Sequence, residues 1–310
     1  DNNRDTTYTD YAGIDKLETN AYSIEYEYRF PNSSIQSVTT YSDIELNYNY
    51  DGDWGNNKMW ESSPYNWDPI SNGYNWSFPD RSNRNRISIT TDLKLSKEID
   101  LFFLTMGFFS KKLAEDDIRN GYILGGTADS ANTSFNISLK SIYANITYKF
   151  SKYTKINLGS RFSNYKNVYS ATGTNYGTPI KNINDSIENE LFAFHLSLKH
   201  QLNEKFNFFS SINRGYKAGG INQNPYLDES QRFYKAEYNL NLNAGFVYSS
   251  DMYEGEINLF YMKRSQQQVG LYFQAIPDVP TSFSFYTANA NVGYNSGIET
   301  TIKLNINNNS

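Results

Sequence analysis

KFNFFSSINRGYKAGGIN, residues 205–222, carries the pattern from which the rest of the chain is read. Phe206, Phe208, Ser210 and Ile212 fall on one face of an extended segment and Asn207, Ser211 and Asn213 on the other. That alternation is the period of a strand, whose successive side chains point to opposite sides. It ends at Arg214-Gly215-Tyr216-Lys217-Ala218-Gly219-Gly220. Glycine so near a strand end marks a bulge, a bend or a close approach of backbone.

The same alternation recurs along the chain. Tyr22, Ile24, Tyr26, Tyr28 and Phe30 oppose Ser23, Glu25, Glu27 and Arg29. Ile142, Ala144, Ile146, Tyr148 and Phe150 oppose Tyr143, Asn145, Thr147 and Lys149, and Ile298, Thr300, Ile302 and Leu304 oppose Glu299, Thr301 and Lys303. About eleven such segments occur, each near or beyond the roughly 9–11 residues that a tilted strand uses to cross a bilayer. The connections between them sort into two kinds that alternate. Tight ones are expected at 31–33, 96–98, 151–152, 203–204 and 249–251, and long ones at 47–83, 112–134, 167–186, 218–234 and 269–291. Short periplasmic turns and long extracellular loops are the sequence signature of an outer-membrane barrel. The reading is therefore all-β: an antiparallel transmembrane β-barrel, present in part.

Composition agrees. The chain has 310 residues, 16% of them aromatic, with 27 Tyr, 20 Phe, no Cys and a net charge of −5. No apolar run approaches the roughly 18 residues of a transmembrane helix, but a barrel strand hides its lipid face in alternation. The mild acidic excess and the lack of a basic cluster argue against a nucleic-acid surface. The absence of Cys excludes thiol chemistry and Fe–S ligation. The chain opens without a basic-then-apolar leader and closes on Asn307-Asn308-Asn309-Ser310. Residues 1–310 are thus expected to be one barrel-domain piece of a longer protein. Eleven antiparallel strands would bring the first and last together parallel, whereas bacterial single-chain barrels use even numbers.

Downstream of RGYKAGG come Asn243-Ala244-Gly245-Phe246-Val247-Tyr248, Ile257-Asn258-Leu259-Phe260-Tyr261-Met262 with Gln266 to Gln268, Asn289-Ala290-Asn291 and Gly297-Ile298-Glu299. In order and spacing this series resembles the late barrel of TonB-dependent outer-membrane receptors, most closely over 205–304. Ile221, Asn243 and Val247 depart from the family's usual aromatic, acid and lysine. The resemblance implies a 22-stranded wall around a plug domain, of which about half the wall is here and the plug and C-terminal strands are not. It implies location in the bacterial outer membrane, lipid around the wall, and uptake of a large, scarce ligand such as a ferric siderophore, driven through TonB by way of the plug. It implies no catalysis and no covalently bound cofactor. Arg214, Gly215, Tyr216, Lys217, Gly219, Gly220, Gly297 and Glu299 are its wall motif, with Arg214, Lys217 and Glu299 expected on the lumen side, pairing across strands or meeting the plug.

The candidate ligand surface is the first long loop, residues 51–80, which holds all four tryptophans. Trp54, Trp60, Trp67 and Trp76, with Tyr65 and Tyr74, either contact a ligand at the mouth or form the loop's own small core, since aromatics favour both settings. A basic rim of Arg81, Arg84 and Arg86 is suited to an anionic chelate, diluted by Asp80 and Asp92. Asp51, Asp53 and Gly55 resemble the start of a calcium loop, but Gly55 and Ser62 stand where ligands are needed, so no metal site is expected. His195 and His200 have opposite parity on one strand, His195 toward the lumen, and cannot share a metal. No G-x-S-x-G occurs and no acid is placed to form a triad with His195 and Ser197. The competing readings are a passive porin, an outer-membrane enzyme built near His195, and a soluble β-rich module, which the outward apolar faces oppose.

Overall fold

The computed structural model describes residues 9–52, 55–71, 79–123, 128–175, 177–274 and 283–304. Eleven long strands form one antiparallel sheet. They are β1 (Ile14–Phe30), β2 (Ser33–Asp51), β3 (Pro79–Ile99), β4 (Phe102–Ile123), β5 (Ala128–Lys149), β6 (Thr154–Asn175), β8 (Ile183–Gln201), β9 (Phe206–Lys217), β12 (Glu237–Ser249), β13 (Tyr253–Gln274) and β14 (Phe283–Leu304). A two-residue strand β7 (Thr178–Pro179) extends β6, and β10 (Gly220–Ile221) pairs with β11 (Phe233–Tyr234). Two short helices, α1 (Asn57–Glu61) and α2 (Glu229–Arg232), sit between strands at one end. Each long strand pairs with its neighbours in the chain, so the sheet is a meander with β1 and β14 at its open edges.

The register fixes the faces. Phe102, Tyr148, Ile156 and Leu198 lie in one row across β4, β5, β6 and β8. Above it come Leu104, Ile146, Leu158 and Leu196, then Met106, Ala144, Ser160 and Phe194, then Phe108, Ile142, Phe162 and Phe192. These side chains are largely exposed on an apolar face that has only lipid to bury it. The opposite face carries polar and charged groups joined across strands, such as Tyr143 Oη to Asp92 at 2.8 Å and Asn157 Nδ2 to Thr147 at 2.8 Å.

On that polar face four glycines lie directly opposite large rings: Gly107 opposite Tyr143, Gly159 opposite His195, Gly245 opposite Phe209 and Gly297 opposite Phe260. A Cβ on Gly107 would fall 2.5 Å from the Tyr143 ring, and one on Gly159 2.5 Å from the His195 ring. Each ring thus covers bare backbone, the arrangement by which an aromatic compensates glycine in a strand.

Tight connections are confirmed at one end, as residues 31–32, 100–101, 150–153, 202–205 and 250–252. The second was expected at 96–98; instead β3 runs to Ile99 and the hairpin turns at Asp100, whose φ of 48° suits such a turn. At the other end the expected loops 112–134, 167–186 and 269–291 are largely strand. β4, β5, β6, β13 and β14 reach 22 residues each, twice what a membrane needs. The reason is visible in the register. Above the Phe108 row the formerly apolar face turns to Ser110, Lys140, Asn164 and Glu190, while apolar side chains such as Phe135, Ile137 and Leu191 stand on the other face, so the alternation continues with its parity reversed.

Candidate functional site

The wall stretch that opened the sequence reading leaves the sheet at its glycines. β9 pairs with β8 only as far as Arg214 opposite Phe194, while it stays with β12 to Lys217 opposite Glu237. The freed Phe192 carbonyl accepts from Arg214 Nη1 at 2.9 Å. The connection expected at 218–234 lies between β9 and β12, and it turns onto the polar face. A Cβ on Gly219 would lie 2.6 Å from the Tyr234 carbonyl and 2.9 Å from the Ala236 nitrogen, so the approach of backbone requires glycine there, and one on Gly220 would meet the hydroxyl end of the Tyr234 ring, 2.6 Å from its Cζ. Ile221 is buried against Tyr169, Ala171 and Ile183, with Phe135 and Ile187 beside them. Burial pushes the Tyr234 hydroxyl pKa up.

Polar anchors complete the attachment. Asn222 takes the Thr287 backbone from both sides, donating to its carbonyl at 2.9 Å and accepting from its N–H at 2.8 Å. Asn289 does the same for Lys235, at 3.0 and 2.7 Å. Arg232 pairs with Asp185 at 2.8 Å, both mostly buried. Glu237 accepts from Arg264 Nε at 2.8 Å and from the Gln268 N–H at 2.7 Å, and Gln268 donates to the Ala218 carbonyl at 2.8 Å. The segment therefore spans the polar face from β6 and β8 to β14. None of these anchors was foreseen. The signal was present in Phe135, Ile183, Ile187 and Leu191, apolar residues at positions whose parity belongs to the polar face.

Toward β2 the same end carries a ladder of charges. Asp80 accepts from Tyr50 Oη at 2.9 Å and from Arg119 at 2.6 Å. Asp117 accepts from Ser82 at 2.7 Å and from Arg84 at 2.7 Å, and Glu115 accepts from Arg86 at 2.5 Å. The three carboxylates are buried. The expected basic rim is thereby corrected: Arg84 and Arg86 are neutralised by Asp117 and Glu115 on the next strand. Arg81 lies on the opposite face over the Tyr11 ring, 5.9 Å from its centroid.

Above the ladder stands the aromatic loop. Asn56 caps α1 by accepting from the Met59 N–H at 2.9 Å, which holds Trp60 in place. The Trp60 ring lies 4.9 Å from that of Tyr65 and 5.8 Å, edge-on, from that of Trp67, and the Trp67 backbone N–H donates to the Trp60 carbonyl at 2.9 Å. Trp60 and Trp67 are half-buried and Tyr65 is exposed, so the cluster is both the loop's own packing and an aromatic surface. Trp54, Tyr74, Trp76 and Asp53 lie outside the described residues.

The remaining motif positions separate. Arg214, expected toward the lumen, belongs by register to the apolar face of Leu240 and Phe194, where its guanidinium covers the Tyr238 ring at 4.2 Å. Tyr216 reaches Ser163 at 2.6 Å. Lys217 is exposed opposite Glu237, and Gly215 has no neighbour that would exclude a side chain. Glu299 accepts from Asn258 at 3.3 Å on the polar face, and Gly297 lies under Phe260. His195 bonds Asn157 on the polar face, while His200 bonds Thr154 at 2.8 Å beside a tight turn. No group of three metal-ligating side chains occurs among the described residues.

The family model for the TonB dependent receptor-like β-barrel matches residues 1–309. Among curated proteins no sequence matches. Among solved structures, the ferric yersiniabactin uptake receptor FyuA of Yersinia pestis is similar at a TM-score of 0.69 and 14% identity, over 92% of this chain and 39% of that one. The copper transporter OprC is similar at 0.66 and 11%, over 96% and 44%. The siderophore receptor PiuA of Acinetobacter baumannii is similar at 0.64 and 11%, over 96% and 45%. The chain thus spans under half the length of these proteins, and at such identities the likeness is one of fold.

Proposed function

The chain belongs to the TonB-dependent receptor β-barrel family, and from that premise we propose that it forms part of the wall and mouth of a receptor importing a ferric siderophore complex. It is a protein of the outer membrane, with its tight turns in the periplasm and its aromatic loop outside. Energy would come through TonB by way of a plug domain of the same polypeptide. The observation that carries the reading is the Trp60–Tyr65–Trp67 cluster at the mouth, a surface on which an aromatic or sugar-like chelator can stack. The wall itself does not choose a ligand, since a copper transporter shares it. Because Arg84, Arg86 and Arg119 are neutralised by their own carboxylates, selection rests on stacking and shape rather than on a net positive field.

The test is binding and uptake by the full-length receptor. Tryptophan fluorescence is titrated with ferric catecholate, hydroxamate and carboxylate chelates in turn. One class is expected to quench at submicromolar concentration, and Trp60→Ala is expected to weaken it roughly 10- to 100-fold, as loss of a stacked anchor does. A deletion strain that grows normally under iron limitation, together with no quenching by any class, sinks the proposal.

A further inference from the structure

We propose that the outward face of β4, β5 and β6 carries a binding site for a phosphorylated lipid of the outer leaflet, built on Lys112, Lys140 and Lys166. The inference rests on placement in the outer membrane and is independent of the imported ligand. Its first support is height. Lys112 is ten residues beyond Phe102, the lowest apolar row of β4. Ten residues advance about 33 Å along a strand, and about 25 Å up a wall tilted by about 40°, which is the height of the apolar band of such barrels. The lysines therefore stand where acyl chains give way to head groups.

Their mutual arrangement is the second support. Lys112 and Lys166 share a row, separated by Ser138 on β5, and Lys140 is one row lower between Ser110 and Asn164. With strands about 4.8 Å apart and rows about 7 Å apart, the three ammonium groups frame a patch about 10 Å wide, the scale of one phosphate and its hydration. Lys166 is held by Glu188 at 2.7 Å. Among the described residues, Lys112 and Lys140 meet no carboxylate within ion-pair distance, unlike the arginines of the opposite face. The third support is a slot of about 310 Å³ beside them, lined by Ile87, Ile89, Ala114 and Val168 together with Lys112 and Lys166. Ile87, Ile89 and Val168 are each more than a third exposed, above the belt where the rest of the face has become polar. Cations beside an apolar slot at the interface suit a head-group phosphate with an acyl chain alongside.

The experiment is native mass spectrometry of the full-length receptor titrated with diphosphoryl lipid A, with folding checked by heat modifiability on gels. Wild type and the Lys112→Arg/Lys140→Arg variant are expected to hold the lipid, and Lys112→Ser/Lys140→Ser to bind it at least about tenfold more weakly. Lys97→Ser, on the same face near the periplasmic turns, should leave binding unchanged. Equal retention by the double serine variant overturns the site, as does equal loss in Lys97→Ser. Equal binding of dephosphorylated lipid A overturns the role of phosphate, and displacement of the lipid by inorganic phosphate overturns the role of the slot.

Discussion

Gly107 and Tyr143 show how closely single positions are matched across this sheet. The Tyr143 ring lies over Gly107 and its hydroxyl reaches Asp92 on the strand beyond, so one ring joins three strands. Gly107→Ala is expected to push the ring off that bond and cost about 1–3 kcal/mol, the usual range for overpacking. Tyr143→Ala should cost a similar amount, and the double variant less than the sum, because the ring's share of the clash disappears while the approach to the Leu93 carbonyl, at 2.6 Å, stays. Urea unfolding of the full-length protein in micelles measures all three, and strict additivity would refute the coupling. Parity alone made some residues legible. It placed His195 toward the lumen side and His200 away from it, as the register does. Carried one residue further it would have put Arg214 with Phe208 and Ile212, but the alternation was read as ending there, and family resemblance drew that residue to the lumen face. The partners of Arg84 and Arg86 were out of reach, because Asp117 and Glu115 come into contact only once the pairing of β3 with β4 is known.

At the level of elements, strands were legible wherever lipid forces one face to be apolar, and illegible where that force ends. The upper halves of β4, β5 and β6 turn mostly polar outside and shift apolar residues such as Phe135 and Ile137 to the inner face, and they, with those of β13 and β14, read as loops. Residues 218–234 were also read as a loop, although apolar residues at polar-face positions signalled that something covers them. Asn222 is the principal clamp of this segment on β14, satisfying both backbone groups of Thr287. Asn222→Ala leaves those groups without the side chain and is expected to loosen the segment by about 1–3 kcal/mol, the cost of an unsatisfied buried partner. Hydrogen exchange in the full-length receptor should show roughly 10- to 100-fold faster exchange within 219–236, with the amides of β5 and β6 unchanged. Faster exchange throughout the wall would mean that the segment is not a separable unit.

For the whole molecule, the sheet's two edges decide its behaviour. β1 and β14 both run from the loop end to the turn end, and each has a partner on one side only. Direct closure between them would be parallel, so the described wall remains open. A polypeptide of residues 1–310 alone is therefore expected to fail to insert in lipid vesicles and to aggregate through these edges. The full-length receptor should give a heat-modifiable folded band under the same conditions, and an equally folded band from the short polypeptide would contradict the open-sheet picture. The long strands reach further than stability. About half of each 22-residue strand stands beyond the lipid, a raised wall of about 25 Å by the same rise and tilt. Sugars attached to the lipid heads crowd that layer, and a bulky solute diffuses through it slowly. In the proposed receptor a raised rim would move the point of capture above the densest part of this canopy, so that the distance a nutrient must travel through saccharide would be set by strand length.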